Sequence, residues 1–358
     1  MKKTVVLSFS ITHGSVSDYF INLATKLSSI YHVIVISDKK SSNETKLINH
    51  GIQVCYWPSV RPTKWRDFLF LYKLLKNNKP VMTISIFGSV NICLLVGFLL
   101  GVKNRIAWSR TLTSQFPQNR MNIFRKKIIY KLATQLITNS NATKQDLNTV
   151  FSVPLKKITT LYNSVKAYNV KSTCIENNKI VYVGRLHESK GIDTLIEAVY
   201  LLKHLNIILN LDIIGTGSEK DKLDKLVIKF NLENQVSFLG NKSKEDVLLA
   251  LKKSYCAIIP SKSEAFGYTV IEAMSMQTCV IGANNTGIKE IILDEQSGLL
   301  FKTSDAHDLA QKIKKIFLDL NYRNELALNG YNRFLNEFEL DKAIQRDFNY
   351  FNKLITNV

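Results

Sequence analysis

The sequence predicts an α/β chain of two doubly wound parallel-sheet domains, and three observations lead there. At 358 residues the chain is long enough for two ordinary cores and short for three. Short apolar runs alternate with amphipathic stretches from end to end, which implies parallel sheets with helices on both faces. The alternation weakens near the middle and then restarts, as expected of two domains with a cleft between them.

The first series of strands is expected at residues 4–10, 32–37, 53–57, 81–87, 104–109 and 135–138. The pattern fades between about 163 and 178, where Asn163-Ser164, Lys171-Ser172-Thr173 and Asn177-Asn178 read as linker. A second series follows at 179–184, 207–214, 235–239, 256–260, 278–281 and 298–301. The tail from about 305 shows no convincing strand. Asp305 has the chemistry of an N-cap for a helix running to about 320, and Asp341 that of a cap for a last helix with apolar positions Ile344, Phe348, Phe351 and Ile355. That helix is expected to cross back onto the first domain, so the predicted domains are 1–165 with about 340–358, and 175–339.

Composition narrows the class further. Hydrophobic residues make up 46% and charged residues 22%, a globular balance and not a disordered or multi-span one. Five cysteines, Cys55, Cys93, Cys174, Cys256 and Cys279, form no C-x-x-C pair, which argues against a disulfide framework or a zinc ribbon and for a reduced, cytoplasmic compartment. The net charge is +19, and it is lopsided: residues 1–171 hold 25 Lys and Arg against five acids, the remainder 23 against 24. The basic half is expected to meet polyanions or an anionic lipid surface. No RNA-recognition, helix-turn-helix or zinc-finger signature accompanies it, so nucleic acid is not the expected partner.

Two segments could be mistaken for membrane signals. Met1-Lys2-Lys3 precedes an apolar stretch too short for a signal peptide, and it reads as a first buried strand. Residues 81–102 carry no charge over a length that could span a bilayer, but the run breaks at Gly88-Ser89 and includes Asn91, and a buried strand followed by a buried helix is the better reading. Two further stretches, 61–76 and 120–131, mix aromatic and aliphatic residues with Lys and Arg, a composition suited to helices at the lipid headgroup level or to ordinary surface helices.

The chemistry-bearing segment is Ile259-Pro-Ser-Lys-Ser-Glu264-Ala-Phe266-Gly267-Tyr268-Thr-Val-Ile-Glu272-Ala-Met274. A strand ends near Pro260, a polar loop carries Glu264, and a helix starts near Gly267 with free N–H groups suited to a phosphate or a sugar hydroxyl. At 1.5 Å rise per residue the two carboxylates are about 8–12 Å apart. That is too wide for a retaining glycosidase pair, at roughly 5 Å, and suits only an inverting one; it also suits an elongated ligand with polyhydroxyl ends and central phosphates. The plain alternative is a capping glutamate and a solvated one.

These residues carry a resemblance. The pattern E-x-F-G-x-x-x-x-E after I-P-S resembles the signature of family 4 of the retaining GT-B glycosyltransferases (glycosyl transferases group 1). The likeness extends through Val181-Tyr-Val-Gly184-Arg185-Leu-His-Glu-Ser-Lys190-Gly191, Ile213-Ile-Gly215-Thr-Gly217, Ser237-Phe-Leu-Gly240 and Gly287-Ile-Lys-Glu290, in the family's order. It implies a GT-B fold, two Rossmann-like domains facing a cleft. It also implies that Arg185 and Lys190 bind a donor diphosphate, that Glu272 holds the nucleotide ribose, and that Glu264 with the backbone around Phe266, Gly267 and Tyr268 holds the donor sugar. Elementary chemistry agrees, since a departing diphosphate gathers negative charge that two cations and helix N–H groups stabilise. Gly215-Thr-Gly217 by itself could suggest a dinucleotide fold, but the third glycine is missing, and close backbone packing near the nucleotide is the expected role; Gly240-Asn241-Lys242 are expected to line the base by analogy with the family.

In the first domain, His13-Gly14-Ser15 follows the first strand, where the family has a glycine turn close to the donor phosphates; a simple tight turn is the alternative. Where the family often places a histidine facing the acceptor, this chain has Trp108-Ser109-Arg110, and Arg110 together with His13 is the acceptor-side candidate. There is no D-x-D and no clustered histidine, so no metal or other cofactor is expected.

The expected activity is transfer of a sugar from a nucleotide-diphosphate donor, a UDP-sugar above all, to a lipid-linked or anionic polymeric acceptor in cell-surface polysaccharide or glycolipid assembly. The expected place is the cytoplasm, peripheral on the inner face of the cell membrane. A sugar-nucleotide epimerase or hydrolase on the same fold, and a non-catalytic membrane- or polyanion-binding protein, are the alternatives.

Overall fold

The computed structural model describes residues 2–115, 119–168 and 174–357. The chain divides into two compact units, Met1–Ser164 with Leu340–Val358, and Val165–Glu339.

Unit 1 runs β1 (Thr4–Ser8), α1 (Ser15–Ser28), β2 (His32–Ser37), α2 (Glu44–Ile48), β3 (Gln53–Tyr56), α3 (Trp65–Asn78), β4 (Met82–Ile86), α4 (Val90–Leu99), β5 (Asn104–Ser109), α5 (Arg120–Lys131), β6 (Gln135–Thr138), α6 (Asn141–Phe151) and β7 (Ile158–Thr160). Its sheet has the order β3-β2-β1-β4-β5-β6-β7, with every pairing parallel. The central strands are apolar and buried, as a sheet covered on both faces requires: β4 is buried at all five positions. One face packs α1, and the other packs α3, α4, α5 and α6.

Unit 2 repeats the winding with β8 (Glu176–Val183), α7 (Ile192–His204), β9 (Asn210–Ile214), α8 (Lys220–Lys229), β10 (Val236–Gly240), α9 (Lys244–Lys253), β11 (Ser254–Ile259), α10 (Tyr268–Ser275), β12 (Cys279–Ala283), α11 (Ile288–Ile291), β13 (Leu299–Phe301), α12 (Ala306–Leu318) and α13 (Leu320–Arg333). The sheet order is β10-β9-β8-β11-β12-β13, again parallel. A closing helix, α14 (Leu340–Thr356), packs on α1 of unit 1. It buries Ile344, Phe351 and Ile355, half-buries Phe348, and aims the buried Asp347 at the Tyr19 hydroxyl, 2.5 Å away.

Several local expectations need correction. Asn177-Asn178 is not linker but strand, because β8 begins at Glu176 and pairs there with Ser254; the ladder overrides the weak strand preference of asparagine. Asn163 and Ser164 are buried, while Lys171-Ser172-Thr173 lies outside the described residues. Residues 207–209 precede the strand that starts at Asn210. Asp305 does cap α12, its carboxylate accepting from the Asp308 N–H, but that helix stops at Leu318 and Asp319 caps the unanticipated α13. Asp341 sits within the first turn of α14 rather than before it. The three-residue strand β7 also escaped the sequence reading. Most consequential, α4 is not buried all round: Leu95, Phe98 and Leu99 are exposed on its outer side. Among the described residues no helix is long and apolar enough to cross a membrane.

Candidate functional site

In an open parallel sheet, ligands gather beyond the carboxyl ends of the strands. The carboxyl ends of β8, β9, β10 and β11 in unit 2 are stitched together by backbone contacts that only glycine allows. Gly215 follows β9 at φ 136°, donates its N–H to the Gly240 carbonyl at 2.8 Å, and lies so near β8 that a Cβ would stand 1.9 Å from the Gly184 oxygen. Gly191, at φ 65°, plays the same part between the loops after β8 and β11: a Cβ would meet the Pro260 oxygen at 2.1 Å. The Lys262 N–H donates to the Ser189 carbonyl at 2.8 Å, and the Lys262 ammonium pairs with Asp193 at 2.9 Å, so the two loops are locked in register.

This interlock places Lys190 beside Glu264. The Lys190 Nζ donates to Glu264 Oε2 at 2.5 Å, with both side chains mostly shielded from solvent. Arg185 is exposed on the same crest, and among the described residues its guanidinium has no ion-pair partner. Both charges are felt by one neighbour: burial pushes the Tyr182 phenol well up, the Glu264 carboxylate pushes it further, and Arg185 works against them. The Tyr182 hydroxyl, in turn, donates to the Arg185 carbonyl at 2.9 Å and steadies the start of the loop.

Gly267, at φ 115°, caps α10, and the Thr269 hydroxyl in the helix's first turn ties to the Val183 carbonyl at the end of β8 at 3.3 Å. The helix start therefore faces the same crest with N–H groups that lack intrahelical acceptors. The Phe266 ring turns inward, edge-on to Phe338 at 5.9 Å and to the half-buried Tyr268 at 6.1 Å, and Ala265, Phe266 and Gly267 are all buried. Glu272 lies one and a quarter turns along, only 8% exposed, and its carboxylate accepts from the Lys244 ammonium. Sequence reasoning missed Lys244. It opens α9, 28 residues away, and no local pattern marks it as a partner of α10. Asn241 and Lys242 are exposed after β10, and Asn241 Oδ1 accepts from the Thr216 hydroxyl at 3.3 Å, joining the β9 and β10 loops.

The unit 1 candidates fall into a different pattern. Gly14, at φ 151°, caps α1 and has open space around it; His13 beside it accepts at Nδ1 from the Asn43 amide at 3.2 Å. Arg110 is only 6% exposed. Its guanidinium donates to Asn163 Oδ1 and covers the Phe20 ring, so unit 1 itself shields most of its charge. The outward feature here is instead a recess of about 520 Å³ at the carboxyl ends of the strands, lined by Ser8, Asp38, Trp57, Arg61 and Phe87 among others. Among the described residues no group of three or more His, Cys, Asp or Glu is placed to hold a metal ion.

The architecture is GT-B, and comparison with known proteins decides how the crest of unit 2 should be read. Residues 167–333 match the family Glycosyl transferases group 1. Over the longer chain, an uncharacterized glycosyltransferase of Methanocaldococcus jannaschii is 28% identical across 346 residues, 92% of both chains. The N-acetylgalactosamine-N,N'-diacetylbacillosaminyl-diphospho-undecaprenol 4-alpha-N-acetylgalactosaminyltransferase of Campylobacter jejuni is 27% identical across 338 residues, 89% of this chain and 91% of that one. Among solved structures, Anabaena HepE in complex with UDP superposes with a TM-score of 0.83 over 98% of this chain and 100% of that one, at 17% identity, which shows the shared fold. The domain match and the relatives together support a glycosyltransferase.

Proposed function

We propose that this chain is a retaining, metal-independent glycosyltransferase of family 4 that takes its sugar from a UDP-sugar and gives it to a lipid-linked or polymeric acceptor. The observation that carries this reading is the crest of unit 2, where Arg185, the Lys190–Glu264 pair, the glycine-capped start of α10 and the shielded Glu272 gather at the ends of adjacent strands. The UDP in the Anabaena complex and the diphospho-undecaprenol named for the Campylobacter enzyme favour the donor and acceptor classes chosen.

In the transfer, the bond from the anomeric carbon to the β-phosphate oxygen breaks while the acceptor hydroxyl oxygen bonds to that carbon on the same face. The hydroxyl proton passes to the departing phosphate. Arg185 and Lys190 take up the charge that gathers on the leaving diphosphate, helped by the N–H groups of Gly267 and Tyr268. Lys190 must exchange Glu264 for phosphate, and the freed carboxylate then accepts hydrogen bonds from hydroxyls of the donor sugar. Glu272, held in place by Lys244, accepts from the ribose diol. Asn241, Lys242 and Gly215 are assigned to the base; within unit 1, Gly14 keeps the donor-phosphate role that the family resemblance implies, and His13 and the recess are assigned to the acceptor.

The test is transfer from a panel of nucleotide sugars to an undecaprenyl-diphosphate-linked acceptor, with chelator present, using Glu264→Ala and Arg185→Ala beside the unaltered protein. Retained activity with chelator, an α-configured product from an α-configured donor, and loss in both variants are expected. Full-rate transfer in both variants would remove the assigned site.

A further inference from the structure

The helical layer α3, α4 and α5 covers one face of the unit 1 sheet, with α4 packed between the other two. A surface layer normally buries one stripe of each helix and turns polar residues outward. All three helices break that rule in the same direction. On α3 the exposed side carries Trp65, 70% exposed, and Leu69; on α4 it carries Leu95, Phe98 and Leu99; on α5 it carries Met121, Phe124 and Ile128. Counted from the first member, the others in each helix follow at three, four or seven residues, so each set lies along one side. Eight large apolar side chains in three adjacent helices far exceed the scattered exposure that needs no explanation.

The charges around them have one sign. Residues 60–131 hold 14 Lys and Arg against a single acid, Asp67. Asp67 is fully buried and spent on capping α3, its carboxylate accepting from the Lys64 N–H at 2.9 Å. Arg66, Lys73 and Lys76 on α3 and Arg120, Arg125 and Lys131 on α5 are exposed beside the apolar stripes, and the Arg105 guanidinium lies over the Phe98 ring at 5.6 Å. An apolar band rimmed only by cations fits a surface with an anionic layer above a hydrocarbon layer. A second copy of this chain would set cation against cation across the contact, and a nucleic acid would leave the apolar band without a partner.

We propose that the α3–α4–α5 face docks this protein on an anionic phospholipid bilayer, its apolar side chains entering the headgroup boundary and its Lys and Arg meeting lipid phosphates. The claim stands independently of the transfer reading, since none of these residues belongs to the unit 2 crest.

The chain carries its own probe. Of its three tryptophans Trp57 and Trp108 are buried, so a fluorescence change on vesicle addition reports Trp65. The experiment is vesicle flotation with phosphatidylglycerol in phosphatidylcholine against phosphatidylcholine alone, with the full chain, in low and high salt. Expected are selective binding to the anionic vesicles, weakening with salt, and a blue shift of Trp65 emission that Trp65→Phe abolishes. The exchange Phe98→Glu with Phe124→Glu lowers the bound-to-free ratio by about 10-fold or more. Met121→Gln with Ile128→Gln gives a second pair if the first fails to fold, as read by circular dichroism and melting. Equal binding to neutral vesicles, equal binding by folded variants, preferential retention on duplex DNA, or self-association that the same exchanges abolish without vesicle binding would each overturn the proposal.

Discussion

Unit 2 neutralises its charge locally and unit 1 does not. Of the ten ion pairs among the described residues, nine lie in unit 2, and the remaining one joins the sequence neighbours Arg346 and Asp347 of α14. The two sheets are wound alike, so the difference is one of use. Paired charges such as Lys190–Glu264 and Lys244–Glu272 can be exchanged one for one against the parts of a small charged ligand, whereas a surface with many cations and few acids acts collectively, through a field that an extended anionic partner feels.

The sharpest way to break the comparison is at the crest. Glu264→Ala and Arg185→Ala should each lower transfer by about 100-fold or more, the first by loosening the donor sugar and the second by removing a charge that stabilises the leaving diphosphate, measured as kcat/KM with a supplied acceptor. Next comes the backbone. Gly215→Ala drives a Cβ into the Gly184 carbonyl and should cost about 3 kcal/mol of stability, while Gly14→Ala in unit 1 meets open space and should cost only about 1 kcal/mol from its positive φ. Chemical denaturation of the two variants side by side checks the difference. Lys244→Met removes the ammonium that offsets the charge of the shielded Glu272 and should weaken nucleotide binding by roughly 10-fold with a smaller effect on kcat, read by titration with UDP.

The smallest effect is a pH dependence within unit 1. Burial holds the Asp347 carboxyl above its ordinary value, against the hydrogen bonds from Arg346 and Tyr19. A raised carboxyl pKa means the folded state keeps its proton longer than the unfolded chain, so this group's contribution is greatest in acid and declines as pH rises past about 4. Asp347→Asn removes that decline. The stability of the unaltered chain relative to the variant should therefore fall between pH 4 and pH 7, followed by thermal melts across that range.

The fold was legible because its strands are apolar runs of the right length: residues 32–37, 104–109 and 135–138 stand in the structure where the pattern puts them. What escaped was decided by neighbours distant in sequence. Asn177 and Asn178 became strand through pairing across the sheet, β7 is too short to show a period, and Lys244 acquires meaning only when α9 packs on α10. Residues of the candidate site could be picked out because glycines, cations and acids at fixed offsets mark loops at strand ends. Arg110 shows the limit of that approach, since no spacing rule reveals that a guanidinium after β5 turns toward Phe20 and Asn163. Phe98 and Leu99 show another: a charge-free helix reads as interior, although its neighbours cover only part of it.

The return of α14 to α1 makes unit 2 an uninterrupted stretch of chain, while unit 1 is assembled from two stretches far apart in sequence. Residues 165–339 are one continuous stretch of chain, but a fragment stopped before residue 340 deprives α1 of its α14 cover, Tyr19 of its Asp347 partner and Trp108 of Phe351. Synthesis on the ribosome must follow the same order, so the first unit to emerge is the last to gain its final helix.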